Sequence, residues 1–498
     1  VEHFDVLIMG AGLSGIDAAH HLQKMCPNKS YVILEQRARI GGTWDLFRYP
    51  GIRSDSDMLT MGYSFRPWSN PKAISPGEDI RDYITAAARD EGIDAHIRFR
   101  HQITSAAWSS EQAQWTVEAT AEHGEPVTLT CNFLFSCAGY YRYSAGYTPE
   151  FPEIGRFQGR VVHPQAWPQD LDYSGKRVVI IGSGATAVTL VPAMASTASH
   201  VTMLQRSPTY VISAPEQDAI ANRLRRVLPK MWAYRLSRWK NVAFMTYVYQ
   251  LSQRFPNSMK KALVRQAGKA LGPDFDVATH FTPRYKPWEQ RMCLVPDADL
   301  FEAIKSGCAS VVTDHIDTFT EHGIRLKSGQ ELEADIIVTA TGLTMQTLGG
   351  IDLSVDGRRV DPAQTLAYKG VMFSGLPNLA SVFGYINASW TLKADLICAW
   401  VCRVLNFMDS TGVRQVTPRN GDHKAVAPFV ENFSSGYMQR ALASWPKQGS
   451  RKPWRVNQNY FRDAFTLKWS SLEDGALEFS NPAEPAKPAP RELAEAAR

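Results

Sequence analysis

The sequence predicts an α/β protein with two Rossmann-like dinucleotide-binding domains and a helical insertion. Three observations predict it. One glycine pattern occurs twice, each copy follows an apolar strand-like run and opens a helix-like stretch, and a long segment without acidic residues interrupts the second unit.

The first copy is Gly10-x-Gly12-x-x-Gly15, set between the apolar run 4–9 and a helix-like stretch over 14–24; a second strand over 31–34 closes on Glu35. A strand, a glycine turn and a helix N-terminus cradle a pyrophosphate, and an acid about twenty residues on accepts from a ribose hydroxyl. This pattern predicts an adenine dinucleotide without a 2′-phosphate. The second copy, Gly182-x-Gly184-x-x-Ala187, follows the strand 177–181, and its next strand, 201–204, runs into Gln205, Arg206 and Ser207 with no acid between Thr197 and Tyr210. A carboxylate there would repel a 2′-phosphate, whereas a guanidinium binds one bidentately. The two copies together predict FAD at the first site and NADPH at the second.

Composition excludes several classes. A chain of 498 residues has room for two or three domains, and its net charge of +5, from 54 basic and 49 acidic residues, is too balanced for a nucleic-acid binder. The seven cysteines are scattered and include no CxxC pair, which argues against a disulfide scaffold, a metal site or a flavin disulfide reductase and for a reducing cytoplasm. Cys398 and Cys402 fit one helix face as packing residues. No signal-peptide pattern precedes the first strand and no run of eighteen apolar residues occurs, so a cytoplasmic protein without a membrane span is expected.

Along the chain, residues 1–140 and 341–498 are expected to form the FAD domain, 152–210 and 289–335 the NADP domain, and 211–288 the helical insertion; the Pro/Ala/Glu-rich tail 481–498 is expected to be disordered. From Ala219 to Pro273 there are twelve basic residues and no acidic one, with aromatics interleaved. Three readings stand for this segment: a solvated basic helix face, weak peripheral contact with anionic lipid, or steering of NADPH.

Two further motifs carry chemistry. Gly41, Gly42, Thr43 and Trp44 lead to Tyr49-Pro50-Gly51 and Asp55, glycines that let backbone amides approach a diphosphate beside a rigid Pro-Gly turn. Before the second glycine copy lies Phe157-x-Gly159-x-x-x-His163-x-x-x-Trp167. With this fingerprint, the Ala340-Thr341-Gly342 turn and the stretch 384–395, the chain resembles class B flavoprotein monooxygenases over essentially its whole length. It looks like the type I Baeyer-Villiger monooxygenases in particular, and within them the ethionamide-activating subgroup.

The resemblance implies roles. Arg291, in the segment 287–296, matches the arginine that stabilises the anionic C4a-peroxyflavin; a guanidinium keeps its charge in a dry pocket where a lysine can lose it. From the residues alone, Arg291 could equally be a surface ion-pair partner of Glu289. Asp55 matches the carboxylate that orients the arginine, and Phe157, Gly159, His163 and Trp167 are support, with no direct chemistry. Many relatives carry Lys before the arginine; here Gln290 stands there, which leaves more of the NADPH selectivity to Arg206 and Ser207. Trp390 and Trp454 receive no role.

The implied reaction uses FAD, NADPH and O2 to convert a small-molecule ketone into an ester or lactone, with sulfides as further substrates. The alternatives are an S- or N-oxygenase acting on thioethers, thioamides or amines, and a flavin-bearing sensor without oxygenation. Trp167 favours the first, and Arg206 with the second glycine motif disfavours the last.

Overall fold

Buried β-branched and aromatic residues dominate the strands, and the glycine turns fall at their carboxyl ends, so the chain folds into two separate parallel-cored sheets. The computed structural model describes residues 1–420, 427–429 and 434–482. In the first unit the strand Glu2–Met9 lies between Tyr31–Glu35 and Pro126–Ser136, parallel to both, with Val6, Leu7 and Ile8 fully buried. A buried run with no polar alternation is what a parallel strand covered on both faces requires. The sheet has eleven strands, and Asp352–Val355 and Leu379–Ser381, from the far end of the sequence, join it beside Gln102–Ser109 and Pro126–Ser136. The helix Leu13–Met25 packs against the long buried helix Trp390–Thr411, whose Cys398 and Cys402 face the core.

The second sheet has five parallel strands in the order Ala309–Thr313, His200–Gln205, Arg177–Ile181, Ile336–Thr339, Arg160–Val162. Ile336–Thr339 sits inside this sheet, so the second unit runs past the expected limit of 335 to at least Thr339. A strand at the point where the chain returns can be read as belonging to either unit until its pairing is known.

The insertion is helical from Ala219 onward, through Ala219–Val227, Lys230–Arg254 and Pro256–Leu271. Its first residues differ from the expectation: Val211–Ala214 is a strand paired in parallel with Cys293–Pro296, which follows the helices in sequence. Of the tail expected at 481–498, residues 483–498 lie outside the described residues. Among the described residues no helix is long and apolar enough to cross a membrane.

Candidate active site

The first glycine turn is closed by backbone contact. Gly10 has φ +98°, and a Cβ on it would lie 2.9 Å from the Cys137 carbonyl oxygen, so only glycine fits. Gly12 faces Gly42, φ +55°, across the turn, at 3.6 Å from its built Cβ to the Gly42 Cα. Two side-chain-free backbones thus meet at the N-terminus of the helix Leu13–Met25, which is the surface a diphosphate needs. Gly15 lies buried beneath the turn. At the end of Tyr31–Glu35, the buried Glu35 carboxylate accepts from the amides of Ala11 and Arg37, each at 2.8 Å. Burial pushes its carboxyl up while those amides favour the ionised form. The buried Asp45, in the short helix Thr43–Leu46 that follows Gly42, accepts from Arg37 at 2.7 Å and from Arg48, which anchors the Gly42-Thr43-Trp44 segment.

A cavity of about 550 Å³ runs from Glu35, past Gly10, Gly12, Gly42, Thr43 and Trp44, to Asp55 and Arg291, a size suited to small molecules and cofactors. Arg291 stands two residues before the strand Cys293–Pro296, and its Nε donates to Asp55 Oδ2 at 2.8 Å. The Asp55 carboxylate holds the guanidinium well above its usual range, against the cost of burial. The hydroxyl of Tyr437 also bonds to Arg291. The competing reading, a pair with Glu289, is overturned: the Glu289 carboxylate accepts instead from the Lys286 amide at 2.9 Å. Gln290 donates to Ser434 Oγ at 3.4 Å.

Sequence reasoning missed the aromatic wall. Trp390 stacks on Tyr140, ring centres 5.0 Å apart at 17°, and its Nε1 donates to Ser14 Oγ at 2.8 Å. The Tyr141 hydroxyl donates to that of Tyr140 at 2.7 Å, and Tyr143 reaches Thr43 Oγ1 at 3.4 Å. The signal available was the run Gly139-Tyr140-Tyr141-Arg142-Tyr143 immediately after a buried strand. Trp454 is different: it is fully buried in the core against Tyr368.

The fingerprint segment ties together the two chain crossings between the sheets. His163 Nδ1 accepts from the Gln165 amide at 3.1 Å, and its Nε2 donates to the Gly342 carbonyl at 3.2 Å; this pair of bonds selects the neutral Nε2–H tautomer. The ring lies where a Cβ on Gly146 would sit. Gln165 Nε2 donates to the carbonyls of Arg142 and Tyr143 at 2.9 and 3.0 Å, and Thr341 Oγ1 donates to the Tyr147 carbonyl at 2.7 Å. Phe157 is buried, Gly159 passes against the Asp335 backbone, and Trp167 packs on the second core.

At the second glycine turn a Cβ on Gly182 would collide with the Ala340 carbonyl, Gly184 caps the helix Ala185–Ala195, and Ala187 is fully buried. Ser183 Oγ donates to the Ser207 carbonyl at 3.2 Å, which places Arg206 and Ser207 beside the turn. Arg206 is exposed and forms no ion pair among the described residues. Gly51 packs on this helix, its built Cβ 2.6 Å from Ala193 Cβ, and Ala185 and Thr186 line the same cavity as Asp55 and Arg291. Both turns therefore have the backbone a dinucleotide needs, and the helix that follows the second turn borders the cavity that the first turn lines.

One cluster has metal-ligand proximity among the described residues: Asp17, His21 and Cys398. Both ring nitrogens of His21 are already committed. Nδ1 donates to the Asp17 carbonyl at 2.9 Å, and Nε2 faces the Asp395 carboxylate at 3.6 Å, so the cluster reads as a buried ion-pair network.

The chain belongs to the flavin-binding monooxygenase-like family, whose description matches residues 3–420. It is similar to the FAD-containing monooxygenase EthA of Mycolicibacterium smegmatis, 54% identical over 481 residues, which are 96% of this chain and 97% of that protein. Its fold is that of oxidized steroid monooxygenase bound to NADP, with TM-score 0.76 and 22% identity over 96% of this chain and 100% of the other. OTEMO complexed with FAD and NADP matches with TM-score 0.72 and 20% identity over 96% and 99%. The protein is a flavin-dependent monooxygenase with an α/β fold, and FAD and NADP are the cofactors that its two glycine turns fit.

Proposed function

We propose that the chain is an FAD- and NADPH-dependent Baeyer-Villiger monooxygenase that inserts one atom of O2 beside a ketone carbonyl to give an ester or lactone, and that it also oxidises sulfides. The observation that carries this reading is the Arg291–Asp55 pair in the cavity that the first glycine turn lines and that Ala185 and Thr186, just after the second turn, also border. Glu35, Gly10, Gly12, Gly42 and Thr43 hold FAD; Gly182, Gly184, Arg206 and Ser207 hold NADPH. FAD reduced by NADPH supplies the activated oxygen. Arg291 keeps a permanent positive charge where negative charge develops on oxygen, and Asp55 fixes its plane. Tyr140, Trp390 and Tyr385 wall the cavity against water. His163 and Thr341 hold the two crossings and thereby the distance between the nucleotide sites.

Heteroatom oxygenation is the second reading, favoured by one feature: Trp390, Ala388 and Leu343 are among the residues that line the cavity, and such apolar side chains accept a thioether as readily as a ketone. Turnover of a ketone and a thioether of equal size under ¹⁸O2 separates the two. Labelled ester supports the proposal, and labelled sulfoxide alone supports the second reading. NADPH consumption with only hydrogen peroxide released would sink both.

A further inference from the structure

The inner face of the helix Lys230–Arg254 is fully engaged. Ala233, Tyr234, Ser237 and Arg238 are buried, and Arg238 Nη1 donates to the carbonyls of Leu59, Thr60 and Gly62 at 3.2, 2.9 and 2.7 Å. The opposite face presents large apolar side chains to solvent. Trp232, Leu236, Trp239 and Tyr247 are 61%, 48%, 54% and 63% exposed, at spacings that place them on one side of a helix.

The helix Tyr460–Trp469 continues this surface. Phe461, Phe465 and Trp469, at i, i+4 and i+8, are 43%, 65% and 70% exposed. The two stripes join where Trp239 stacks on Phe461, ring centres 6.3 Å apart at 28°. Isolated exposed apolar residues are ordinary; seven on two abutting helices are an interaction surface.

Charge identifies what it meets. Arg225 donates to the carbonyls of Trp68 and Asn70 and so holds the insertion to the first unit, while Lys240 pairs with Asp218 and Lys260 reaches the Pro283 carbonyl within the insertion, so these three cations are already engaged. Arg223, Arg226, Lys230, Arg235, Arg462 and Lys468 are exposed on the same two helices or the one before them, and none pairs with a carboxylate among the described residues. A second copy of the chain is disfavoured as the occupant, because a two-fold contact would set these cations against themselves.

We propose that this face docks on an anionic lipid bilayer, with Trp232, Trp239, Phe465 and Trp469 at the headgroup–acyl boundary and the flanking cations on lipid phosphates. Exposed aromatics bordered by Lys and Arg, on a helix whose other face is anchored to the protein, are the pattern of peripheral interfacial contact. The same helix runs on to Tyr249 and Gln253, which wall a second cavity of about 1150 Å³ bounded also by Trp288 and Asn387. One helix thus runs from the docking face to this second cavity.

The test uses the flavin-loaded full chain and vesicles of phosphatidylglycerol with phosphatidylcholine, against phosphatidylcholine alone. The protein should sediment with the anionic vesicles at low salt, be released as salt rises, and ignore the neutral ones. Brominated lipid in the anionic vesicles should quench its tryptophan fluorescence. The variant Trp232→Ser/Trp239→Ser/Trp469→Ser should bind at least about tenfold more weakly and lose the quenching, while its NADPH oxidation in solution is unchanged, which shows it folded. Equal binding by both proteins, or absence of wild-type sedimentation at low salt, overturns the proposal. A concentration-dependent dimer that the triple variant abolishes, without vesicle binding, would assign the face to a second copy instead.

Discussion

The imidazole of His163 occupies the space that a Cβ on Gly146 would need, and from that position it bonds to the Gly342 carbonyl. A ring from the fingerprint thereby touches both chain crossings between the two sheets.

Gly146→Ala should expel the ring. The added methyl forces His163 off Gly342, with an overpacking cost of about 1–3 kcal/mol. Turnover should fall by roughly 10–100-fold through misplacement of the nicotinamide site, with FAD content preserved. Steady-state NADPH oxidation together with released-flavin fluorescence checks both halves.

Arg291→Ala should uncouple the enzyme. NADPH oxidation continues, hydrogen peroxide replaces organic product, and oxygenation falls by about 100–1,000-fold, the loss that follows removal of a preorganised stabilising group. Asp55→Asn keeps the guanidinium but slackens its orientation, so its loss should be smaller. Product chromatography with a peroxide assay on both variants measures the split, and undiminished oxygenation by Arg291→Ala would remove the residue from the mechanism.

Arg206→Gln should erase the preference for NADPH over NADH. A charge-assisted bond to phosphate contributes about 1.5–3 kcal/mol, so KM for NADPH should rise roughly 10–100-fold while KM for NADH stays level. A uniform rise for both nucleotides would place the phosphate elsewhere.

His163 also carries a pH signature. Burial lowers the His163 pKa from its ordinary 6.5, so the unfolded chain takes up this proton at a higher pH than the folded one. The stability contributed by the neutral ring is fully present above about 6.5 and is lost as pH falls through the lowered value. Melting temperature followed across that acidic window should drop more steeply for the wild type than for His163→Asn, and parallel curves would show that the ring does not titrate there.

Much of the fold was legible because its signals are local. The strand Arg177–Ile181 coincides with the run read from sequence, and both glycine turns stand at the ends of buried parallel strands. The misread pieces depend on distant partners. Val211–Ala214 becomes a strand only because Cys293–Pro296 pairs with it, and Ile336–Thr339 joins the second sheet because Arg177–Ile181 and Arg160–Val162 receive it. In the site, Arg291 and Asp55 were recognisable as motif residues and do meet. The Tyr140–Trp390 stack was not, since it joins a turn to a helix 250 positions later and no spacing records that contact. Composition likewise shows twelve cations between Ala219 and Pro273 but not that Arg238 turns inward to three carbonyls.

Both crossings between the sheets meet at the His163 ring, and the two units are joined again where Gly51 packs on Ala193, where Arg53 pairs with Asp299 and where Lys72 pairs with Glu216. A frame tied at several separated points shares a load among them, so the spacing of the two glycine turns is kept by redundancy as much as by any one bond.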